Sequence, residues 1–292
     1  MSFQVFMMRI MSRRNDRKRD KGLQLPEDVV RFENISYGPN KMQVLDLYRP
    51  KNQSEKLPVI ISVHGGGWVY GDKKLYRPYC LDLAKRGFVV VNFTYRLSPE
   101  YKYPVQLEDT VKVFEWVREN AEFYGMDRDN IFAVGDSAGA HILSIYCALG
   151  CNPEYAKTYD FSTDHVYLPK AIALNCGVYD MNSIKNAADN AAALMKDVLP
   201  KGGTEEEMHW VSPLVHINAG FPPSYIMTAN GDFLKDHAKP LVDKLESLGV
   251  FCTLKEYGDD GNELGHVFHL DMRNETGKLC NDEECEFFKG FM

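Results

Sequence analysis

Three residues far apart in the chain have the types that acyl-transfer chemistry needs: Ser137, Asp232 and His266. A serine hydroxyl is a poor nucleophile until a base takes its proton, and that base needs an acid to orient it. Ser137 lies in Gly135-Asp136-Ser137-Ala138-Gly139, after the apolar run 131–134 and before 138–150, whose apolar spacing is helical. A Gly-x-Ser-x-Gly turn between strand and helix strains the serine backbone and lifts its oxygen above the sheet. Asp232 follows the strand pattern 224–228, and His266 follows the strand pattern 252–257 and a polar loop. Asp236, Asp259 and Asp260 are rival acids, and His237 and His269 are rival bases. Position at strand ends favours Asp232 and His266, with His141 and the other histidines read as ordinary core or surface residues.

A second stretch supplies what the nucleophile lacks. The β-branched run 59–63 reads as a central strand and ends in His64-Gly65-Gly66-Gly67-Trp68. Consecutive glycines suit a loop whose N–H groups must approach a ligand closely, and a tetrahedral oxyanion needs such donors. The backbone N–H groups of Gly66, Gly67 and Ala138 are the expected donors. His64 is expected to hold the loop by hydrogen bonding, and Arg96, Glu100 and Asp109 to fix nearby loops by ion pairing. No cluster has metal-ligand spacing, so neither a catalytic metal nor a cofactor is expected.

The His64–Trp68 and Gly135–Gly139 motifs together resemble the hormone-sensitive-lipase-like branch of the α/β-hydrolases, a group of carboxylesterases. Tyr95-Arg96-Leu97-Ser98-Pro99-Glu100 and Leu107-Glu108-Asp109 are similar to segments between those motifs, and the resemblance runs from about Val44 to His269. It implies an α/β-hydrolase fold, in which the chain order serine, acid, histidine is the usual one. It also implies short-chain acyl esters as substrates, because such relatives usually lack a large interfacial lid. His64–Trp68 is similar to arylformamidases too, so an arylformamidase or amidase with the same triad is an alternative. A deacetylase or feruloyl esterase acting on acylated sugars is another. A non-catalytic binding module would usually have lost part of the triad, which stands complete here.

The elements that must position these residues are legible as alternating strand and helix patterns. Residues 31–37 and 42–48 alternate as an antiparallel edge around Gly38-Pro39-Asn40, and 74–86 and 106–120 read as helices with the strand 88–95 between them. Such alternation predicts a mostly parallel sheet with helices on both faces and chemistry at the carboxyl ends of the strands. Residues 178–223 read as a small helical cap inserted in a hydrolase domain spanning 31–292. Trp68, Met195, Leu199 and Trp210 are candidate pocket walls. Residues 1–30 are an N-terminal arm, where Phe3, Val5, Phe6, Met7, Ile10 and Met11 could form an apolar helix over the site.

Composition sets outer limits. With 292 residues, 45% of them hydrophobic, the chain can bury one large core. A net charge of −7 argues against nucleic acid or an anionic membrane as the main partner and suits a small neutral ester. Seven scattered cysteines, including Cys280 and Cys285 near the C-terminus, read as free thiols of a reducing compartment, hence a cytoplasmic protein. The C-terminal residues 274–292 are expected to pack on the domain or on a second subunit, which leaves a homodimer open.

Overall fold

The computed structural model describes residues 1–53, 55–184 and 191–292. Eight strands form one sheet in the order β1-β2-β4-β3-β5-β6-β7-β8. These are β1 (Val29–Ser36), β2 (Val44–Pro50), β3 (Leu57–Val63), β4 (Val89–Thr94), β5 (Met126–Asp136), β6 (Ile172–Asn175), β7 (Ser224–Ala229) and β8 (Cys252–Tyr257). β2 pairs antiparallel with both β1 and β4, and every pair from β4 to β8 is parallel. This is the α/β-hydrolase arrangement expected from the motifs.

Strand alternation sorts side chains between two apolar layers. Val59, Ile61, Val91 and Ala133 join one core, whereas Ile60, Val90, Phe132 and Val134 join the other. Helices α3 (Val105–Tyr124) and α4 (Ala138–Cys151) pack in the first. Helix α2 (Arg77–Ala84) and the C-terminal helix Glu275–Lys289 pack in the second, where Phe288 stacks on Phe132 with ring centroids 5.0 Å apart. Residues 274–292 therefore pack on their own domain. Cys280 and Cys285 are buried thiols of that helix, and all seven cysteines are free.

The arm forms a longer helix than its apolar part suggests. α1 spans Phe3–Asp20, with the Ser2 hydroxyl accepting from the Val5 N–H and Arg17, Lys18 and Arg19 in the last turn. Those cations complement the negative end of the helix dipole, which lets the helix continue through the basic cluster. Of the apolar residues expected to face the site, Val5 is buried, whereas Phe3, Phe6, Ile10 and Met11 are exposed. Within 178–223, the stretch read as a helical cap, helices span Ala191–Val198 and Glu205–Trp210. Residues 185–190 of that stretch lie outside the described residues.

Candidate active site

β5 delivers the nucleophile. Ser137 has φ 52° and ψ −118°, the strained conformation expected of so tight a turn, and its N–H donates to the Asn175 carbonyl at 2.9 Å. The turn requires close approach between β3 and α4: a Cβ at Gly139 would run into the carbonyls of Val63 and His64. Ser137 thus sits at the start of α4, above the carboxyl ends of β3, β5 and β6.

Asp232 follows β7 and is buried, and His266 follows β8. His266 Nδ1 lies 2.7 Å from Asp232 Oδ1, and its Nε2 lies 3.0 Å from Ser137 Oγ. A carboxylate only accepts, so Nδ1 carries the proton and Nε2 is left to accept from the serine hydroxyl. Asp232 also accepts from the Leu234 N–H at 3.0 Å and from Thr228 Oγ1 at 3.1 Å. Burial opposes its ionisation, but the hydrogen bond and charge of His266 outweigh it and hold the carboxyl below its ordinary range. Of the rivals, Asp236 is exposed, Asp259 closes a turn with Asn262, and His237 lies beside Ser183. His269 is fully buried with no partner on either ring nitrogen among the described residues, and burial pushes its pKa down to about 3.

The glycine loop is held on several sides. His64 donates from Nδ1 to the Gly65 carbonyl at 2.8 Å and stacks on Tyr95 at 3.9 Å; burial drives its pKa down to about 4. Tyr76 accepts from the Gly65 N–H and donates to Asp136, the residue before the nucleophile, which links the two motifs. Trp68, at φ 61°, donates from its indole to His141 Nδ1. The N–H groups of Gly66, Gly67 and Ala138 have no protein acceptor among the described residues, and all three residues line the cavity over Ser137. Arg96 binds Asp109 at 2.6 Å, and Glu100 pairs with Arg9 of α1 at 2.7 Å, so these charges do brace loops.

The cavity encloses about 680 Å³, within the range of small-molecule sites. Trp68 lines it, but Met195, Leu199 and Trp210 do not. Met195 and Leu199 are buried in the core beside it, and Trp210 packs on Tyr103 and Tyr159 while donating to Thr158. Helical phase explains part of the correction: Ala191 and Leu194 of helix Ala191–Val198 line the cavity, and Met195 points away from it. α1 contributes Val5 and Met8; a Cβ on Gly67 would come within 2.8 Å of the Met8 methyl.

Three features carried no sequence signal strong enough to find them. Phe233 packs on His266 with ring centroids 4.4 Å apart. His141, one turn into the nucleophile helix, joins the glycine loop to the Val211 carbonyl. Cys176, directly after β6, places its sulfur within 4.8 Å of ligand-type atoms of both Asp232 and His266. That trio has donors a metal could use, but His266 Nδ1 is already committed to Asp232, and burial raises the thiol far above its ordinary pKa.

Several proteins similar to this chain are named esterases. Esterase LipQ of Mycobacterium tuberculosis is 26% identical over 79% of this chain and 54% of its own length. The carboxylesterase NlhH of the same species is 27% identical over 79% of this chain and 73% of its own. The chain thus spans about half the length of LipQ. Among solved structures, inhibited esterase B from Lactobacillus rhamnosis superposes with a TM-score of 0.89, at 25% identity over 99% of this chain and 95% of that one. EstE1, a thermostable carboxylesterase from a metagenomic library, gives 0.81 at 22% identity with both chains fully covered. The BD-FAE family model matches residues 45–242, more than half of the chain, from β2 through the glycine loop, the serine turn and Asp232. On that match, the chain belongs to the BD-FAE family.

Proposed function

We propose that this chain is a serine carboxylesterase that hydrolyses short-chain acyl esters through an acyl-enzyme on Ser137. The observation that carries the reading is the continuous line Asp232–His266–Ser137, at 2.7 and 3.0 Å, opening into the cavity. His266, fixed in its tautomer by Asp232, takes the serine proton as Oγ attacks the ester carbonyl. The N–H groups of Gly66, Gly67 and Ala138 receive the oxyanion. His266 then gives its proton to the leaving alcohol oxygen, the carbon–oxygen bond breaks, and water releases the acid by the same steps reversed in role. Met8 and Leu194, closing on the glycine loop, favour short acyl groups. α1 and the 178–223 region together act as the cap, and the unpaired cysteines fit a cytoplasmic protein. No helix of the described residues is long and apolar enough to cross a membrane.

Turnover of p-nitrophenyl esters from acetate to laurate, by wild type and Ser137→Ala, tests this. Rapid hydrolysis of the short esters that vanishes in the variant supports it, and no hydrolysis of any ester by folded wild type sinks it.

One observation favours a polar alcohol, as in acylated sugars. The cavity-lining face of α1 changes from Val5 and Met8 to Ser12, Asn15, Asp16 and Arg19, beside Asp271 of the segment that follows His266. His266 protonates the leaving oxygen, so this polar end faces the alcohol. A preference for acetylated methyl glucoside over hexyl acetate supports that refinement, and the reverse preference removes it.

A further inference from the structure

α1 presents two faces. At 3.6 residues per turn, Val5, Met8, Ser12, Asp16 and Arg19 share the side that lines the cavity, and Phe3, Phe6, Ile10, Arg13, Arg14 and Arg17 share the opposite side. The outer stripe divides along its length. Its first half leaves Phe3 73%, Phe6 45% and Ile10 48% exposed. Its second half is three exposed arginines with no carboxylate partner among the described residues, because Asp16 and Asp20 are both taken by Arg19. The helix holds six basic and two acidic residues in a chain of net charge −7, so the chain-wide charge does not describe this surface.

We propose that the outer face of α1 docks on an anionic lipid surface. A helix lying in a membrane interface sinks apolar side chains below the headgroups and sets basic ones against anionic phosphates and carboxylates, which needs both classes on one convex face. An acidic protein segment would meet the arginines and leave Phe3 and Phe6 in water. A second copy on a two-fold axis across the helix would lay the apolar half of one stripe against the arginines of the other, and on an axis along the helix would set arginines against arginines. The lipid interface satisfies both halves. The helix is also anchored well enough to bear the load: Arg9 donates to the Val69 carbonyl at 2.8 Å and the Ser98 carbonyl at 2.7 Å, and Arg273 donates to the Arg19 and Lys21 carbonyls. Docking would set the cavity roofed by α1 beside the membrane surface, where amphiphilic esters concentrate. The binding itself does not depend on the esterase reading.

The test is co-sedimentation of the full chain with vesicles of phosphatidylcholine alone and with about 30% phosphatidylserine, in low salt and in about 0.5 M salt. The mixed vesicles should retain the protein, the neutral ones should not, and salt should release it. Replacing Arg13, Arg14 and Arg17 together by Gln should weaken binding by about tenfold or more. Phe3→Ser with Phe6→Ser should weaken it too, while hydrolysis of a soluble p-nitrophenyl ester stays within about twofold, since neither residue lines the cavity. Failure to bind anionic vesicles at low salt, equal binding to neutral ones, or wild-type binding by both variants overturns the proposal. So does a dimer by light scattering that Phe3→Ser with Phe6→Ser dissolves.

Discussion

The indole N–H of Trp68 ends on Nδ1 of His141, 3.1 Å away, and His141 passes its own Nε2–H to the Val211 carbonyl at 2.7 Å. The two bonds fix one neutral tautomer, and burial drives the pKa of His141 down to about 4, which keeps it neutral at ordinary pH. The residue before Trp68 is Gly67, so this strut ties the glycine loop to the nucleophile helix and to the 178–223 region. His141→Leu should lower kcat about tenfold or more with a smaller change in KM, because removing an aligned oxyanion donor acts on the transition state. His141→Asn keeps an acceptor near the Nδ1 position and should recover most of the loss. Steady-state kinetics on the two folded variants would decide, and equal losses would contradict the strut.

Asp232→Asn should retain the fold and lose about 10³–10⁴ in kcat, since an amide no longer enforces a proton on His266 Nδ1. Single-turnover kinetics should place the loss in acylation. A loss under tenfold would return Asp236 or Asp259 to consideration.

Much of this was legible because local rules agreed. The strand 59–63 was readable from its β-branched content, and the serine turn from its two glycines between a strand pattern and a helix pattern. What was not legible depended on three-dimensional phase. Met195 and Leu194 are adjacent in sequence and both apolar, and only the roll of their helix against the core decides which one sees the cavity. α1 was readable as apolar, but its apolar residues divide between the cavity and the surface. Cys176 reaches Asp232 through the register of β6 against β7, which no local pattern encodes.

Gly139→Ala should be among the most damaging single methyl additions in the chain. The new Cβ would press on backbone carbonyls of β3, which cannot rotate aside as a flexible side chain could. Thermal unfolding should show Tm lower by about 5 °C or more, or no folded protein. An unchanged Tm would mean that α4 can slide away from β3.

Stability should depend on pH through a buried carboxyl behind the site. Burial pushes Glu284 up to about 7, although Asn175 and Tyr79 hydrogen-bond to it. An acid whose folded pKa is raised contributes stability fully below its unfolded value, near 4.5, and loses it as pH rises through the folded value. Asp136, pushed up to about 6 by burial, adds the same trend at the lower end. His64, His141 and His269, held neutral by burial, add stability as pH rises toward 6.5, so the carboxyl shows in a difference: by urea unfolding, wild type should lose on the order of 2 kcal/mol relative to Glu284→Gln as pH rises from about 5 to 8. A pH dependence in the variant parallel to that of wild type would assign the effect elsewhere.

We propose Ser137 as the nucleophile that His266 activates. The most direct measurement is intact mass and peptide mapping after treatment with an alkyl p-nitrophenyl phosphonate. One phosphonyl group per chain should appear on Ser137, with release of one p-nitrophenol, abolished by Ser137→Ala and strongly slowed by His266→Ala. Labelling at another residue, or none on the folded wild-type protein, would contradict it.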